Sequence, residues 1–145
     1  MACGATATNE PGIERFARFG YEDFRRFAID DQISKYNKIG FPDSYRRGFE
    51  EAIFADICRK LSVLEQKEII VLDIGPGCGD LPLMMLKHGE TWQHRLVLVD
   101  SPEMLAYVPD RPFVIKVAGM YPANADAVAT VAPSRVEALL RCRLG

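Results

Sequence analysis

Ile69-Ile70-Val71-Leu72-Asp73-Ile74-Gly75-Pro76-Gly77-Cys78-Gly79-Asp80-Leu81 is the stretch that decides the fold. Its first half is a continuous apolar run with β-branched residues, the pattern of a strand buried on both faces of a parallel sheet. Three alternating glycines follow. The apolar segment from Leu81 to Lys87 then reads as a helix, with Pro82 tolerated in its first turn and Gly89 near its end. A strand that runs through a glycine turn into a helix brings bare backbone close to whatever sits at the strand's carboxyl end.

The spacing narrows what that is. A dinucleotide fingerprint needs G-x-G-x-x-G/A, but Asp80 stands three residues after Gly77, and its carboxylate would repel a pyrophosphate. The Gly-Lys-Ser/Thr of a P-loop is absent too. An NAD-type module is therefore the weaker reading. Toward the C-terminus, Leu96-Val97-Leu98-Val99 is a second buried strand ending at Asp100, Ser101 caps a short helix with Pro102 at its first position, and Phe113 to Val117 is a third strand. The β-α-β-α-β order predicts an α/β, doubly wound, mainly parallel sheet of about three to four strands. Asp100, at a strand tip, suits both hydroxyls of a ribose. A phosphate-free glycine turn and a ribose-binding acid together describe a nucleoside with an amino-acid tail, S-adenosylmethionine.

Asp73 to Gly79 resembles motif I of the class I, Rossmann-like S-adenosylmethionine-dependent methyltransferases, and Leu98-Val99-Asp100-Ser101-Pro102-Glu103-Met104-Leu105 is similar to their second motif. The resemblance implies methyl transfer to a small-molecule or saccharide acceptor. It also implies that Asp73, Gly75, Gly77 and Gly79 lie along the methionine part of the cofactor, that Asp100 holds the ribose, and that Ser101 and Met104 flank the adenine. For Asp73 a second role stays open, stabilising the turn through backbone hydrogen bonds. The segment Phe16 to Arg47 is similar to the leading helices of bacterial members, which cover the cofactor and shape the acceptor pocket; Tyr36, Lys38, Phe41 and Tyr45 are the candidates, with packing against the sheet as their other reading. The chain departs from the family at Ala118-Gly119-Met120, where members often carry an acidic or polar residue for the adenine amine, and past Pro122 the fourth strand is not recognisable. The expectation is a C-terminally shortened member, with a cofactor-binding-only or inactive fragment completed by a partner subunit as the alternative. Methyl transfer is a direct displacement in which positioning and desolvation do much of the work, so no catalytic base is named.

Outward from the motif, residues 1–12 are small and polar and read as a disordered tail. The rest reads as one domain: a helical cap over 13–66, a cofactor-binding half over 67–122 and a C-terminal segment over 123–145. In the cap, Phe16, Phe19, Phe24 and Phe27 fit one helix face, with Gly20 as a candidate break. After a loop from Lys35 to Pro42, Asp43 or Ser44 caps a second helix striped by Tyr45, Phe49, Ile53, Ile57 and Leu61. Ala123 to Ala132 leaves loop, strand and helix open. Ser134-x-x-Glu137 is a capping box that predicts a last helix lined by Val136, Leu139, Leu140 and Leu144.

Composition excludes several classes. With 145 residues, 48% hydrophobic, and 18 Lys plus Arg against 20 Asp plus Glu, the chain has a core but no basic excess, and nucleic acid is a poor partner. No apolar run reaches the roughly 18 residues of a membrane span. The four cysteines have no C-x-x-C pair and no His at ligand spacing, so neither metal site nor disulfide framework is expected, and reduced thiols point to the cytoplasm. Cys78 is read as packing. His88 and His94 are read as exposed turn residues, and self-association is left open.

Overall fold

The deciding stretch forms the centre of a four-stranded sheet in the computed structural model, which describes residues 19–132 and 136–141. The tail 1–12, Phe16, Ser134 and Leu144 lie outside the described residues. The strands are β1 (Ile70–Ile74), β2 (Arg95–Asp100), β3 (Val114–Ala118) and β4 (Ala138–Arg141), in the order β3-β2-β1-β4 with every neighbouring pair parallel. The chain steps outward from β1 to β3, then crosses back to lay β4 on the other side of β1. This is the α/β doubly wound arrangement, and its switch point lies between β1 and β4.

Both faces of the sheet are covered, which is why β1 and β2 are apolar throughout. On one face Val71, Leu96 and Leu98 pack against Leu64, Met85 and Leu86, with Ile57 and Leu61 adding to the cluster. On the other, Leu72, Val97 and Val99 meet Val128. The helices are α1 (Tyr21–Ala28), α2 (Lys35–Lys38), α3 (Asp43–Arg46), α4 (Glu50–Lys60), α5 (Asp80–Trp92), α6 (Pro102–Leu105) and α7 (Ala125–Val131). Among the described residues no helix is long and apolar enough to cross a membrane.

Several local expectations change. Gly20 is the cap of α1 rather than a break within it, its N–H donating to Asp23 Oδ2 at 2.8 Å. The expected loop from Lys35 contains the single turn α2, capped by Ser34 Oγ. The stripe from Tyr45 to Leu61 is two helices, because Gly48 turns the chain at φ +80°; Tyr45 and Phe49 are consequently exposed, and Pro42 takes the capping position. Arg46 and Glu50 bridge the break with a buried ion pair at 2.9 Å.

α5 runs past Gly89 to Trp92. That glycine serves close packing, since a β-carbon there would lie 3.2 Å from Leu96 Cδ1, and Gln93 in the left-handed region ends the helix instead. Ala125–Val131 resolves the ambiguous segment as helix. The expected last helix is the strand β4: Glu137, read as the closing acid of a capping box, accepts the Ile70 N–H at 2.8 Å and fastens the start of β1. His88 and His94 are not exposed turn residues either. His94 is 1% exposed, and the two rings hold the carbonyls of Leu64 and Gln66, each at 2.8 Å.

Candidate functional site

Asp100 is where the two sequence motifs meet. The buried run Leu96 to Val99 carries β2 to its tip, and there the carboxylate turns back onto the glycine turn. Its Oδ2 accepts the Gly77 N–H at 2.9 Å and its Oδ1 accepts the Ser101 N–H at 2.7 Å. Gly75 donates its N–H to Val99 O at 2.8 Å, so the turn is stitched to β2 at two points. Gly75 and Gly77 sit at φ +74° and +71°, conformations that L side chains rarely adopt. Burial raises the Asp100 pKa, with the two backbone N–H groups opposing. Each carboxylate oxygen still has a lone pair to offer a hydroxyl.

A cavity of about 310 Å³ opens at the carboxyl ends of β1 and β2. Its floor is Gly75, Gly77 and Asp100; Phe19, Gly20, Tyr21 and Phe24 wall it from α1 and its leading edge, Ile39 closes it from above, and Met104 and Met120 complete the lining. No Lys or Arg lines it among the described residues.

The cap is fastened over this cavity by polar contacts. Arg25 of α1 grips Glu103 of α6 through two nitrogens at 2.8 and 3.0 Å, which holds the Glu103 carboxyl at about 2. Lys35 of α2 pairs with Asp80 at the start of α5 at 2.7 Å. Lys38, buried, donates to Ala28 O and to the Tyr107 hydroxyl, each at 3.0 Å, and Tyr107 donates in turn to Ala28 O. Ile39 lies directly on the turn, and a β-carbon on Gly79 would come within 3.1 Å of its Cδ1. The bare backbone of the glycines therefore receives the cap.

Of the residues expected from sequence, Gly75, Gly77, Asp100 and Met104 come together in the first cavity. Gly79 lies under Ile39. Ser101 is 1% exposed, and its hydroxyl accepts the Met104 N–H as the cap of α6. Asp73 lines a second cavity of about 200 Å³, which shares Gly75 with the first and is otherwise walled by Phe54, Ile57, Pro76, Leu81, Met85 and Leu140. Asp73 makes no hydrogen bond or ion pair there among the described residues; burial first, and the Asp100 charge second, push its carboxyl up to about 7. Burial also pushes Cys78 up to about 11, which suits a packed thiol.

None of Tyr36, Lys38, Phe41 and Tyr45 lines the first cavity. Tyr36 is buried, Phe41 lies beneath the Arg46 guanidinium, and Tyr45 is exposed. Sequence reasoning missed Phe19, Gly20, Tyr21, Phe24, Ile39 and Met120 as cavity residues. Ile39 carried a signal: it is a large apolar side chain in a Gly and Pro loop, which must bury itself on something. Met120 fills the place where a polar residue for adenine was sought. No family model matches the chain, and no curated protein matches it significantly.

Proposed function

We propose that the chain binds S-adenosylmethionine at the carboxyl ends of β1 and β2 and transfers its methyl group to a small-molecule or saccharide acceptor. One observation carries this reading: Gly75 and Gly77 from one motif and Asp100 and Met104 from the other line a single cavity that has a carboxylate and, among the described residues, no cation. A phosphate ligand would meet repulsion there, which favours a nucleoside without phosphates over a dinucleotide.

The lining fits such a nucleoside. Asp100 keeps one free lone pair on each oxygen for a diol, and the rings of Phe19, Tyr21 and Phe24 with the thioethers of Met104 and Met120 offer an apolar slot for a base. When bound, S-adenosylmethionine supplies a methyl group on a sulfonium sulfur, and an acceptor lone pair displaces it to leave a neutral thioether. The protein's part is to orient the nucleoside through Asp100 and to keep water away through the cap held by Arg25, Lys35 and Lys38. The same reading places the chain in the cytoplasm, with Cys58 and Cys78 as free thiols.

Calorimetric titration with S-adenosylhomocysteine and, separately, with NAD tests the cofactor. Saturable heat with the first and none with the second is expected; the reverse pattern, or heat with neither, overturns the reading. Release of S-adenosylhomocysteine in the presence of acceptors then separates a transferase from a binding-only protein.

A further inference from the structure

The strand order lays the ends of β1, β2 and β3 side by side, which gives the first cavity a direction. Gly75 and Gly77 stand at one side, Asp100 at the centre, and Met120, just past the end of β3, at the other. Ala118 is in register with Asp100, and the Gly119 N–H donates to Asp100 O at 3.0 Å. A ribose held by Asp100, with its tail along the glycine turn, therefore sends its base toward Met104 and Met120. Among the described residues, Asp100 and Tyr21 carry the only strong hydrogen-bonding side chains in the lining. Burial raises the pKa of the Tyr21 hydroxyl, with Arg25 opposing and Asp100 and Glu103 adding, which puts that hydroxyl on the Asp100 side. At the Met120 end the polar groups are spent elsewhere: Met120 O accepts the Asn124 N–H at 3.1 Å, Asn124 Nδ2 donates to Ala118 O at 3.4 Å, and the Asn124 Oδ1 is buried outside the lining. Met120 itself is 51% exposed, so the rim beside it is wet.

We propose that this slot holds a purine by its faces and leaves the 6-position unread, so that Met120 sets a ligand class of purine nucleosides carrying sulfur at the 5′ position in which 6-amino and 6-oxo bases are accepted alike. The proposal rests on the S-adenosylmethionine reading and widens its base specificity. A site built to hydrogen-bond an amine rejects the analogue lacking it by about 10⁴-fold, because the site's own polar group is then left unpaired. The thioether of Met120 has nothing to leave unpaired. A 6-amino or a 6-oxo group at the wet rim keeps its water, and the rings of Phe19, Tyr21 and Phe24 offer either base the same π-faces.

S-adenosylhomocysteine and S-inosylhomocysteine, its 6-oxo counterpart, are titrated by calorimetry into the full chain and into Met120→Asp and Met120→Asn. In the wild type the two dissociation constants are expected to agree within about threefold. Met120→Asp places an acceptor at the rim that pairs with the amine and repels the oxygen, and it should favour the adenine compound by at least about tenfold. Met120→Asn, whose amide can turn to donate or to accept, should keep the two within about threefold. Both replacements sit at a half-exposed position, and thermal unfolding checks that they fold. A wild-type preference for either compound beyond about threefold, with S-adenosylhomocysteine bound, overturns the inference and leaves the cofactor reading in place. A folded Met120→Asp that favours adenine by less than about tenfold would show that the base does not lie beside Met120, and overturns it as well. Binding of neither compound to the wild type removes the cofactor reading itself, and the inference with it.

Discussion

A β-carbon on Gly77 would stand 2.6 Å from Ile39 Cγ2, a separation that backbone on one side and a branched side chain on the other cannot share. The cap and the glycine turn are thus mutually fitted. Gly77→Ala combines this overlap with a side chain at φ +71° and is expected to destabilise the protein by about 2–4 kcal/mol. Ile39→Ala alone, at a half-buried position, should cost about 1–2 kcal/mol. In the double variant the overlap is gone, so the costs should fall short of additive by at least about 1 kcal/mol. Urea unfolding of the four proteins measures this, and strict additivity would show that Ile39 does not sit on the turn.

Asp100 accepts two backbone N–H groups, and an amide has only one oxygen to offer them. Asp100→Asn should therefore leave either Gly77 or Ser101 unpaired, costing about 1–3 kcal/mol of stability. S-adenosylhomocysteine affinity should fall at least tenfold, because the same carboxylate is to hold the ribose. Unfolding and calorimetry report the two losses separately. A variant that binds as tightly as wild type would exclude Asp100 from ligand recognition.

The two losses also show what was readable in advance. β1, the glycine turn, β2 and the Ser101 cap were legible because each rests on a local rule: β-branched burial, left-handed glycine, or an N-cap. The failures share another cause. Glu137 has the spacing of a capping box, yet the first residue of β1 beside it offers the Ile70 N–H, and a tertiary partner overrides the local motif. The stripe from Tyr45 to Leu61 has perfect helical spacing across Gly48, whose positive φ no periodicity reveals. Ser101 and Gly79 lie in the expected place in the chain, but their side-chain space is taken by the α6 cap and by Ile39.

The Arg25–Glu103 clasp should loosen in acid. The guanidinium holds the Glu103 carboxyl well below its ordinary 4.5, at about 2, so the stabilisation is complete above pH 4.5 and is lost as pH falls toward 2. Because α6 carries Glu103 and α1 carries Arg25, loss of the clasp should free α1 first. Protection of the Phe24 to Ala28 amides against hydrogen exchange, relative to the intrinsic rate at the same pH, is expected to fall in Glu103→Gln at pH 7 and in wild type at about pH 2.5. Equal protection of α1 in both proteins at pH 7 would sink this account.

His94 sets a second acid limit, in the opposite half of the protein. Its Nδ1 is buried without a hydrogen-bond partner among the described residues, and burial, helped by His88 at 5.5 Å between ring centres, holds its pKa below 6.5. A depressed histidine pKa means the unfolded chain takes up protons first, so stability is full above pH 6.5 and declines as pH falls below it. Replacement by Gln, whose amide can still donate to Gln66 O, should flatten this decline while lowering stability at pH 8 through lost packing. Thermal unfolding from pH 5 to 8 checks it, and an unchanged slope would mean that His94 is not the titrating group.

Asp73 works against that trend, because its pKa is raised. The folded protein holds the Asp73 proton up to about pH 7 whereas the unfolded chain releases it near 3.8, so this contribution is present below 3.8 and is lost as pH rises through about 7. The ionised carboxylate is the state that burial penalises. Asp73→Asn removes the ionisation and should change stability little at pH 4, yet raise it by about 2–4 kcal/mol at pH 8, the equivalent of a shift of roughly 3 pH units discounted for partial access to solvent. Chemical unfolding of both proteins at the two pH values measures the difference. A variant that is equally stabilised at pH 4 and pH 8 would show that the effect comes from packing, and that Asp73 is not ionising in an apolar wall.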